Sequence, residues 1–369
     1  MKRAFDWVTM MLALSSFLPA WPSLRPRVPA RLAIYYGYPS LVNGSRGDVE
    51  KSADVFSGYD VVVLGDGLEF SDRKPGRHPE GDPAEHQKAL EIIATTRRNS
   101  PRVRFYGYVC LGEIRSPGGE QVLSPAEIKE RIALWKRMGV SGIFLDEAGY
   151  DWRVVNRERQ NYAVEYIHGQ GLSAFANAFY PEDLFSLQDL RGKNPAGLRP
   201  QLDGRDLFLL ESFQVKNGVY EDSSEWQQRL HAALDGRQRY KSQVFATTTN
   251  PQQSTFAPEK FSYAWWSAWL YDLDGFGWGE PDFAAVHNLL PERSCKRSDF
   301  VLAGGRMPST VGADGTYFWR TVGSYTVVID TRQHSVHISS AAEQLGAKTV
   351  ELPRRIVLQT QAFDCGELE

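Results

Sequence analysis

The chain has 369 residues, a length that fits one barrel-sized domain with a small addition, since single-domain α/β barrels typically reach about 250 residues. Its 42 basic and 45 acidic residues leave a net charge of -3, which excludes the strongly basic composition typical of proteins that bind nucleic acid or an anionic membrane surface. Its three cysteines, Cys110, Cys295 and Cys365, are too few for a disulfide framework or a multi-cysteine zinc site.

A short, largely apolar stretch lies near the start of the sequence. Lys2 and Arg3 precede residues 7–18, and Pro19-Ala20 follow, an order typical of a signal peptide. The stretch is too short to cross a bilayer comfortably, since a spanning helix needs about 20 apolar residues. We therefore predict that residues 1–30 are a leader and that the mature protein is secreted or lies in the periplasm or cell envelope, without stable membrane insertion. A membrane anchor and a misplaced start remain the alternatives.

From residue 32 onward, short apolar runs alternate with amphipathic stretches, a pattern typical of successive βα units around a parallel sheet. Eight of these runs have the character of strands: 32–38, 61–65, 103–111, 142–146, 173–177, 207–211, 243–248 and 275–279. Their number predicts an α/β protein with a closed (β/α)₈ TIM barrel over residues 31–295.

The helices between these strands have recognisable start signals. Residues 82–85, Asp-Pro-Ala-Glu, and residues 124–127, Ser-Pro-Ala-Glu, each combine an N-cap, a proline in the first turn and a capping-box glutamate. Further helices are predicted over residues 157–168, 224–234 and 258–272.

Beyond residue 295 the pattern changes to that of β-hairpins. Residues 316–322 and 325–329 alternate as strands do and are separated by Gly323-Ser324. We predict a small β-rich C-terminal domain over residues 296–369. Cys295 and Cys365 bracket it and are candidates for one disulfide in an oxidising compartment. Cys110 lies in an apolar strand, where a buried small hydrophobe is expected rather than a nucleophile.

In a barrel of this kind the catalytic residues lie at the C-terminal ends of the strands and on the loops that follow them. Here those ends are rich in aromatic, amide and acidic side chains. They supply the candidate substrate-binding residues Tyr36, Tyr38, Asp66, Glu113, Glu147, Asn177, Asn250, Trp278 and Glu280. An isolated acid at a strand end is often only a helix cap, and this alternative fits Asp66 and Glu280 as well as a binding role does.

Two acidic residues stand out as candidate catalytic groups. Asp146 follows Gly-Ile-Phe-Leu and Glu211 follows Leu-Phe-Leu-Leu, so both should lie at the mouth of the barrel, where an uncompensated carboxylate is unfavourable. Glycoside hydrolysis needs two such carboxyl groups on either side of the scissile bond. We predict that the two face each other, with Glu211 the protonated acid and Asp146 the ionised partner. The sequence does not choose between the retaining and the inverting separation.

Several of these segments resemble the related endo-α-1,4-polygalactosaminidase and spherulin-4-like glycosidase families over about residues 32 to 282. The similar segments are Tyr36-Gly37-Tyr38-Pro39, Tyr106-Gly107-Tyr108-Val109, Gly112-Glu113, Gly142-Ile143-Phe144-Leu145-Asp146-Glu147 and Leu210-Glu211. The first resembles the spherulin-4 branch, whereas Gly112-Glu113 resembles the polygalactosaminidase branch.

The resemblance implies roles for four acidic residues. Asp146 would be the nucleophile or charge stabiliser and Glu211 the general acid/base, while Glu113 and Glu147 would shape the pocket. The implied substrates are α-1,4-linked, galactosamine-containing exopolysaccharides. A cationic amino sugar would suit a pocket lined with carboxylates.

Two other classes of function remain open. One is a non-catalytic polysaccharide-binding or envelope-assembly protein on the same barrel, since a fold alone does not fix a function. The other is a barrel enzyme for a different glycan, or a deacetylase. Deacetylases usually need a His/Asp metal site, but His168, His231 and His287 lie mostly in helical stretches. We therefore expect no metal and no cofactor, a polysaccharide as the partner with no nucleic acid, and a monomer.

Overall fold

The computed structural model describes residues 29–72, 81–116, 119–251, 256–280, 282–290, 312–313, 315–322 and 325–340. Almost all of the predicted leader lies outside these ranges, as do both cysteines of the predicted disulfide. The proposed domain boundaries therefore stay predictions.

Each of the eight predicted runs overlaps a strand, and short strands outside these runs are also present. In chain order they are β1 (Ala30–Tyr35), β2 (Val61–Leu64), β3 (Arg104–Cys110), β4 (Ile114–Ser116), β5 (Gly119–Gln121), β6 (Gly142–Asp146), β7 (Ser173–Asn177), β8 (Leu207–Leu210), β9 (Val215–Lys216), β10 (Val219–Tyr220), β11 (Gln243–Thr247), β12 (Gly275–Gly277), β13 (Gly312–Ala313), β14 (Tyr317–Val322), β15 (Tyr325–Asp330) and β16 (Ser335–Ser340).

Eight of these strands close into a parallel barrel, in the order β1-β12-β11-β8-β7-β6-β3-β2. The predicted TIM-barrel fold is thus confirmed. The short pairs β4–β5 and β9–β10 are antiparallel hairpins on the loops that follow β3 and β8. Both hairpins therefore belong to the face of the barrel at which strands end.

The helices pack outside the barrel. They are α1 (Val49–Ser57), α2 (Pro83–Asn99), α3 (Pro125–Arg137), α4 (Arg157–Gly169), α5 (Glu182–Phe185), α6 (Ser223–Tyr240) and α7 (Pro258–Leu270), with 3₁₀ turns at Pro39–Gly44 and Leu190–Gly192. Helix α1 was not among the predicted helices, although Asp48 caps it by accepting a hydrogen bond from the backbone of Lys51. Among the described residues, no helix combines the length and the apolar character that a membrane span needs.

The two predicted capping boxes have different outcomes. At the start of α3, Ser124 and Glu127 form the complete box. At the start of α2, Asp82 caps the helix, but the Glu85 carboxylate instead accepts hydrogen bonds from the Ser40 hydroxyl, both at 2.8 Å. Glu85 is buried, so its tertiary partner replaces the local one, and the prediction of a capping box there was wrong.

The interior of the barrel is filled by every second residue of the strands, because side chains alternate between the two faces of a sheet. This inner core comprises mainly Leu32, Ile34, Val61, Val63, Tyr106, Phe144, Phe175, Leu207, Leu209 and Phe245. The same alternation, continued to the strand ends, turns Tyr36, Tyr108, Asp146, Asn177 and Glu211 inward at the mouth. The period of two that builds the core thus also assembles the candidate site.

The C-terminal strands form a separate antiparallel sheet, in the order β13-β14-β15-β16, as the sequence predicts. It packs on the outside of the barrel. Phe318 lies edge-on to Trp226 of α6, with 5.5 Å between ring centroids, and His334 stacks on Tyr220 at 3.9 Å. The sheet is therefore continuous with the outer core rather than a free appendage.

Candidate catalytic site

The two predicted catalytic carboxyls are joined by one asparagine. Asp146 ends β6, Asn177 ends the neighbouring β7, and Glu211 directly follows β8, so Asn177 lies between them. The Nδ2 of Asn177 donates to Oδ1 of Asp146 at 2.9 Å and to Oε2 of Glu211 at 3.2 Å. Because both distances are measured from the same nitrogen, the two carboxylate oxygens are at most about 6 Å apart.

Asp146 is buried and well hydrogen-bonded. Its Oδ1 also accepts from the backbone nitrogen of Glu147 at 2.9 Å, and the Tyr108 hydroxyl donates to the same carboxylate. Burial raises the pKa of Asp146, whereas the hydrogen bonds from Asn177, Glu147 and Tyr108 act in the opposite direction. These donors favour the ionised form of Asp146.

Glu211 has the pKa expected of a general acid near neutral pH. Burial, together with the negative charge of Asp146, raises the pKa of Glu211 to about 7. The hydrogen bond from Asn177 and the charge of Arg229 oppose this shift. Two adjacent carboxyls with different surroundings are the usual arrangement in which one is protonated while the other is ionised.

Arg229 of α6 holds the backbone of Glu211 in place. Its Nη1 donates to the carbonyl oxygen of Glu211 at 2.6 Å, and its Nη2 is paired with the carboxylate of Glu221 at 2.6 and 2.7 Å. Both Arg229 and Glu221 are buried. The helix therefore fixes the position at which β8 delivers its acidic side chain.

Tyr36 brings a hydroxyl to the same place. Its ring lies edge-on to Tyr108, at 5.3 Å between centroids, and its buried hydroxyl has no hydrogen-bond partner among the described residues. Burial raises the pKa of Tyr36 well above 10, and the charges of Asp146 and Glu211 add to the effect. A Cβ on Gly65 would lie 2.7 Å from the Cα of Tyr36, so this neighbour needs to be glycine. Tyr36 thus offers a protonated hydroxyl beside the pair.

Asp66 lies near this group but already has a partner. Its carboxylate forms an ion pair with Arg131, which also binds the fully buried Glu69 at 2.9 Å. Asp66 is still close enough for its charge to raise the pKa of Tyr36 and Tyr108. It therefore adds negative potential beside Tyr36 and Tyr108.

Glu147 and Glu113 form the wall next to Asp146. Glu147 has a left-handed backbone, with φ of 53°, and its Oε2 accepts from the backbone nitrogen of Glu113 at 2.7 Å and from Sγ of Cys110 at 3.3 Å. Glu147 thus ties the loop after β3 to the end of β6. Cys110 is buried, and burial raises the pKa of its thiol, as expected of a core cysteine.

The structure does not bring the remaining predicted residues into this buried group. Tyr38 is 44% exposed on the loop after β1. The Asn250 amide donates to the carbonyl of Gly279 at 2.6 Å and so links two loops. Trp278 packs against Phe261 of α7 outside the barrel, and Glu280 lines a cavity with it there.

Three neighbours of the pair were absent from the predicted site residues. Tyr108 was within reach of the sequence, because it lies on β3 in the same alternation as Tyr106. Phe283 and Asp282 could not be predicted in this way, because their segment reaches the mouth by pairing with the end of β1. The backbone nitrogen of Tyr36 donates there to the carbonyl oxygen of Ala285 at 2.7 Å. The Phe283 ring contacts Tyr36, and the charge of Asp282 raises the pKa of Glu211.

One group of side chains in the described part of the chain has the spacing of metal ligands, namely His168, Asp203 and Asp206. It lies at the opposite end of the barrel, where β7 and β8 begin. The Asp206 carboxylate accepts from the backbone nitrogens of Ala174 and Asp203 at 2.8 and 2.7 Å and from His168 at 2.9 Å. These hydrogen bonds give the cluster a structural role, because they join the end of α4 to the starts of β7 and β8.

No protein-family model matches the chain, and no curated protein matches it. Similar solved structures include an α-amylase from Geobacillus thermoleovorans complexed with acarbose, with 11% identity, a TM-score of 0.46 and coverage of 81% of this chain and 86% of the other. A cyclic α-maltosyl-(1→6)-maltose hydrolase from Arthrobacter globiformis, in complex with maltose, has 14% identity, a TM-score of 0.47 and coverage of 82% and 91%.

A third similar structure, the multifunctional pyruvate carboxylase from Rhizobium etli, has 11% identity, a TM-score of 0.42 and coverage of 70% and 24%. Two of these three proteins are glycoside hydrolases and one is not. At such identities and TM-scores the likeness carries no argument about activity. The barrel itself is established by its own strand pairing.

Proposed function

We propose that this protein is a glycoside hydrolase in which Asp146 and Glu211 act on the glycosidic bond. The observation that carries the proposal is the Asn177 bridge, which keeps two carboxyls of different character within about 6 Å at the barrel mouth. Glycosidases place an acid and a nucleophile or base in this relation, on this face of the barrel.

The separation favours a retaining reaction, since inverting enzymes keep their carboxyls roughly 6.5–9.5 Å apart to admit a water molecule. In the first step Glu211 donates its proton to the glycosidic oxygen as the bond to the anomeric carbon breaks, and Asp146 forms an ester with that carbon. In the second step water attacks the ester, Glu211 accepts a proton from this water, and Asp146 is released. Asn177, Tyr108 and the Glu147 amide stabilise the Asp146 carboxylate when it is free.

For the substrate we propose an α-linked, galactosamine-containing exopolysaccharide. The support is the family resemblance of the strand-end motifs and the negative charge around the mouth, to which Asp66 and Asp282 contribute. An ammonium group on the sugar would be attracted to this potential. Export by the leader, which would bring the enzyme to an extracellular polymer, belongs to the same proposal.

The test is a reducing-end assay of the purified protein on galactosamine, acetylgalactosamine and glucosamine polymers. Release of reducing ends from a galactosamine polymer by the wild type, with loss in Asp146→Asn and in Glu211→Gln, is the expected result. Glu165→Gln, which changes an exposed glutamate on α4, is the matched control and should retain full activity. Polymer binding without any turnover would instead support the non-catalytic alternative.

A further inference from the structure

Asn177 has a second side-chain atom that the pair of carboxylates does not use. The residue is 5% exposed, and its Oδ1 has no hydrogen-bond partner within the ranges that the structure describes. The amide cannot be turned over, because Oδ1 would then face the carboxylate oxygens of Asp146 and Glu211. Buried carbonyl oxygens are normally hydrogen-bonded, so a partner is expected in the functional complex.

We propose that Oδ1 of Asn177 accepts a hydrogen bond from the C2 substituent of the sugar whose glycosidic bond is cleaved, and that the enzyme therefore requires a donor at C2. The inference rests on the proposed glycosidase function and adds a specificity to it. Bond cleavage places the anomeric carbon next to Asp146 and the glycosidic oxygen next to Glu211. Asn177 contacts both carboxylates, so it lies beside the anomeric carbon.

The chemistry of the pyranose ring then identifies the partner. The anomeric carbon has two neighbours in the ring, namely the ring oxygen and C2. The ring oxygen has only lone pairs and cannot donate to a carbonyl. A hydroxyl, ammonium or acetamido group on C2 can donate, and an ammonium forms the strongest bond because it is charged. Asn177 is thus complementary to the C2 substituent.

A substrate without this donor should be hydrolysed poorly, because it leaves the buried Oδ1 unpaired. We expect kcat/KM for a 2-deoxy glycoside to be roughly 10- to 100-fold below that for the 2-hydroxy glycoside, with the 2-amino glycoside best. Intrinsic reactivity runs the other way, since glycosides without a C2 substituent hydrolyse more readily in solution. A slower enzymatic reaction would therefore report a lost contact.

The experiment compares three aryl α-galactosides, which carry an amino group, a hydroxyl or only hydrogen at C2. In Asn177→Ala all three rates should fall, because the bridge between the carboxylates is lost, and the preference for a C2 donor should disappear. Glu165→Gln, which changes an exposed glutamate on α4, is the control and should keep the wild-type preference. A 2-deoxy glycoside hydrolysed as fast as the 2-hydroxy one by the wild type would overturn the inference, whereas the glycosidase proposal would stand.

A binding measurement tests the contact between Asn177 and the C2 substituent independently of turnover. Galactosamine, galactose and 2-deoxygalactose are titrated into the full-length Glu211→Gln variant by calorimetry, with Asn177→Ala/Glu211→Gln as the reference. Weaker binding of 2-deoxygalactose in the first protein, with no difference in the second, supports the inference. Equal affinities for the three sugars in Glu211→Gln overturn it. Absence of hydrolysis of every polymer by the wild type, by contrast, counts against the proposed function.

Discussion

The buried carboxyl of Glu211 should make the stability of the protein depend on pH in a characteristic way. Burial beside Asp146 raises the pKa of Glu211 from 4.5 to about 7, so the folded protein binds this proton more tightly than the unfolded chain. The resulting stabilisation is fully present below about pH 4.5 and is lost as the pH rises through about 7. At about 1.4 kcal/mol per pKa unit, the loss amounts to about 3 kcal/mol.

The change that exposes this effect is Glu211→Gln, which keeps the shape of the side chain and removes its titration. The free energy of unfolding is measured by urea denaturation of the wild type and the variant from about pH 4.5 to about pH 9. The variant should gain stability relative to the wild type by up to about 3 kcal/mol across the range from about pH 4.5 to about 7, and the difference should be constant above it. This assay requires no substrate.

The matched control is Glu165→Gln, because Glu165 is an exposed glutamate on α4. Its difference from the wild type should not change with pH. A flat difference for Glu211→Gln as well would refute the reasoning: it would mean that the Glu211 carboxyl is solvated in the folded protein. Glu211 would then be ionised near neutral pH and could not serve as the acid.

Asp146→Asn removes a charge that raises the pKa of Glu211, so the pH range in which the protein loses stability should shift to lower pH. Turnover should fall by orders of magnitude. An unchanged pH midpoint of this stability loss, measured by urea denaturation, would contradict the prediction. Tyr36→Phe removes a hydroxyl without a described partner, so the free energy of unfolding should change by less than about 0.5 kcal/mol while kcat/KM falls, and strong destabilisation would count against it. Arg229→Met leaves Glu221 buried and unpaired and should lower the free energy of unfolding by about 3–5 kcal/mol. The added change Glu221→Gln should restore part of this stability, and no recovery would show that the ion pair is not the cause.

The sequence alone was sufficient for the barrel and for the place of Asp146 and Glu211 at its mouth, whereas their catalytic role stays a prediction. Strands β6 and β7 have the predicted bounds, because each is a short apolar run that begins after polar or glycine residues and ends at a polar side chain. The alternation of side chains along a strand is a local property, fixed by backbone geometry. It turned Asp146 and Asn177 inward, together with Glu211 one strand further on, and therefore could be read without a structure.

The directions of the side chains that follow the strand ends were harder to predict from the sequence. Asn250 lies three residues after the end of β11 and Trp278 directly follows β12, but the Asn250 amide binds Gly279 and the Trp278 ring packs on α7. Trp278 has the parity of Phe276, which packs in the outer core, so the alternation itself turns Trp278 outward. Asn250 lies far enough past its strand for hydrogen bonds to another loop to decide its direction. Glu85 shows the same limit at a helix start, where a buried hydroxyl from a distant turn replaced the local cap.

Only the tertiary structure decided what surrounds Asp146 and Glu211. Phe283 and Asp282 reach the mouth because their segment pairs with β1, at the other end of the barrel sequence, and Arg229 reaches Glu211 from the following helix. The tertiary structure also decided that one nitrogen of Asn177 donates to both carboxylates, and this shared donor sets the distance between them. Such contacts join residues whose spacing along the chain follows no secondary-structure period, so the chain must close into a barrel before they exist.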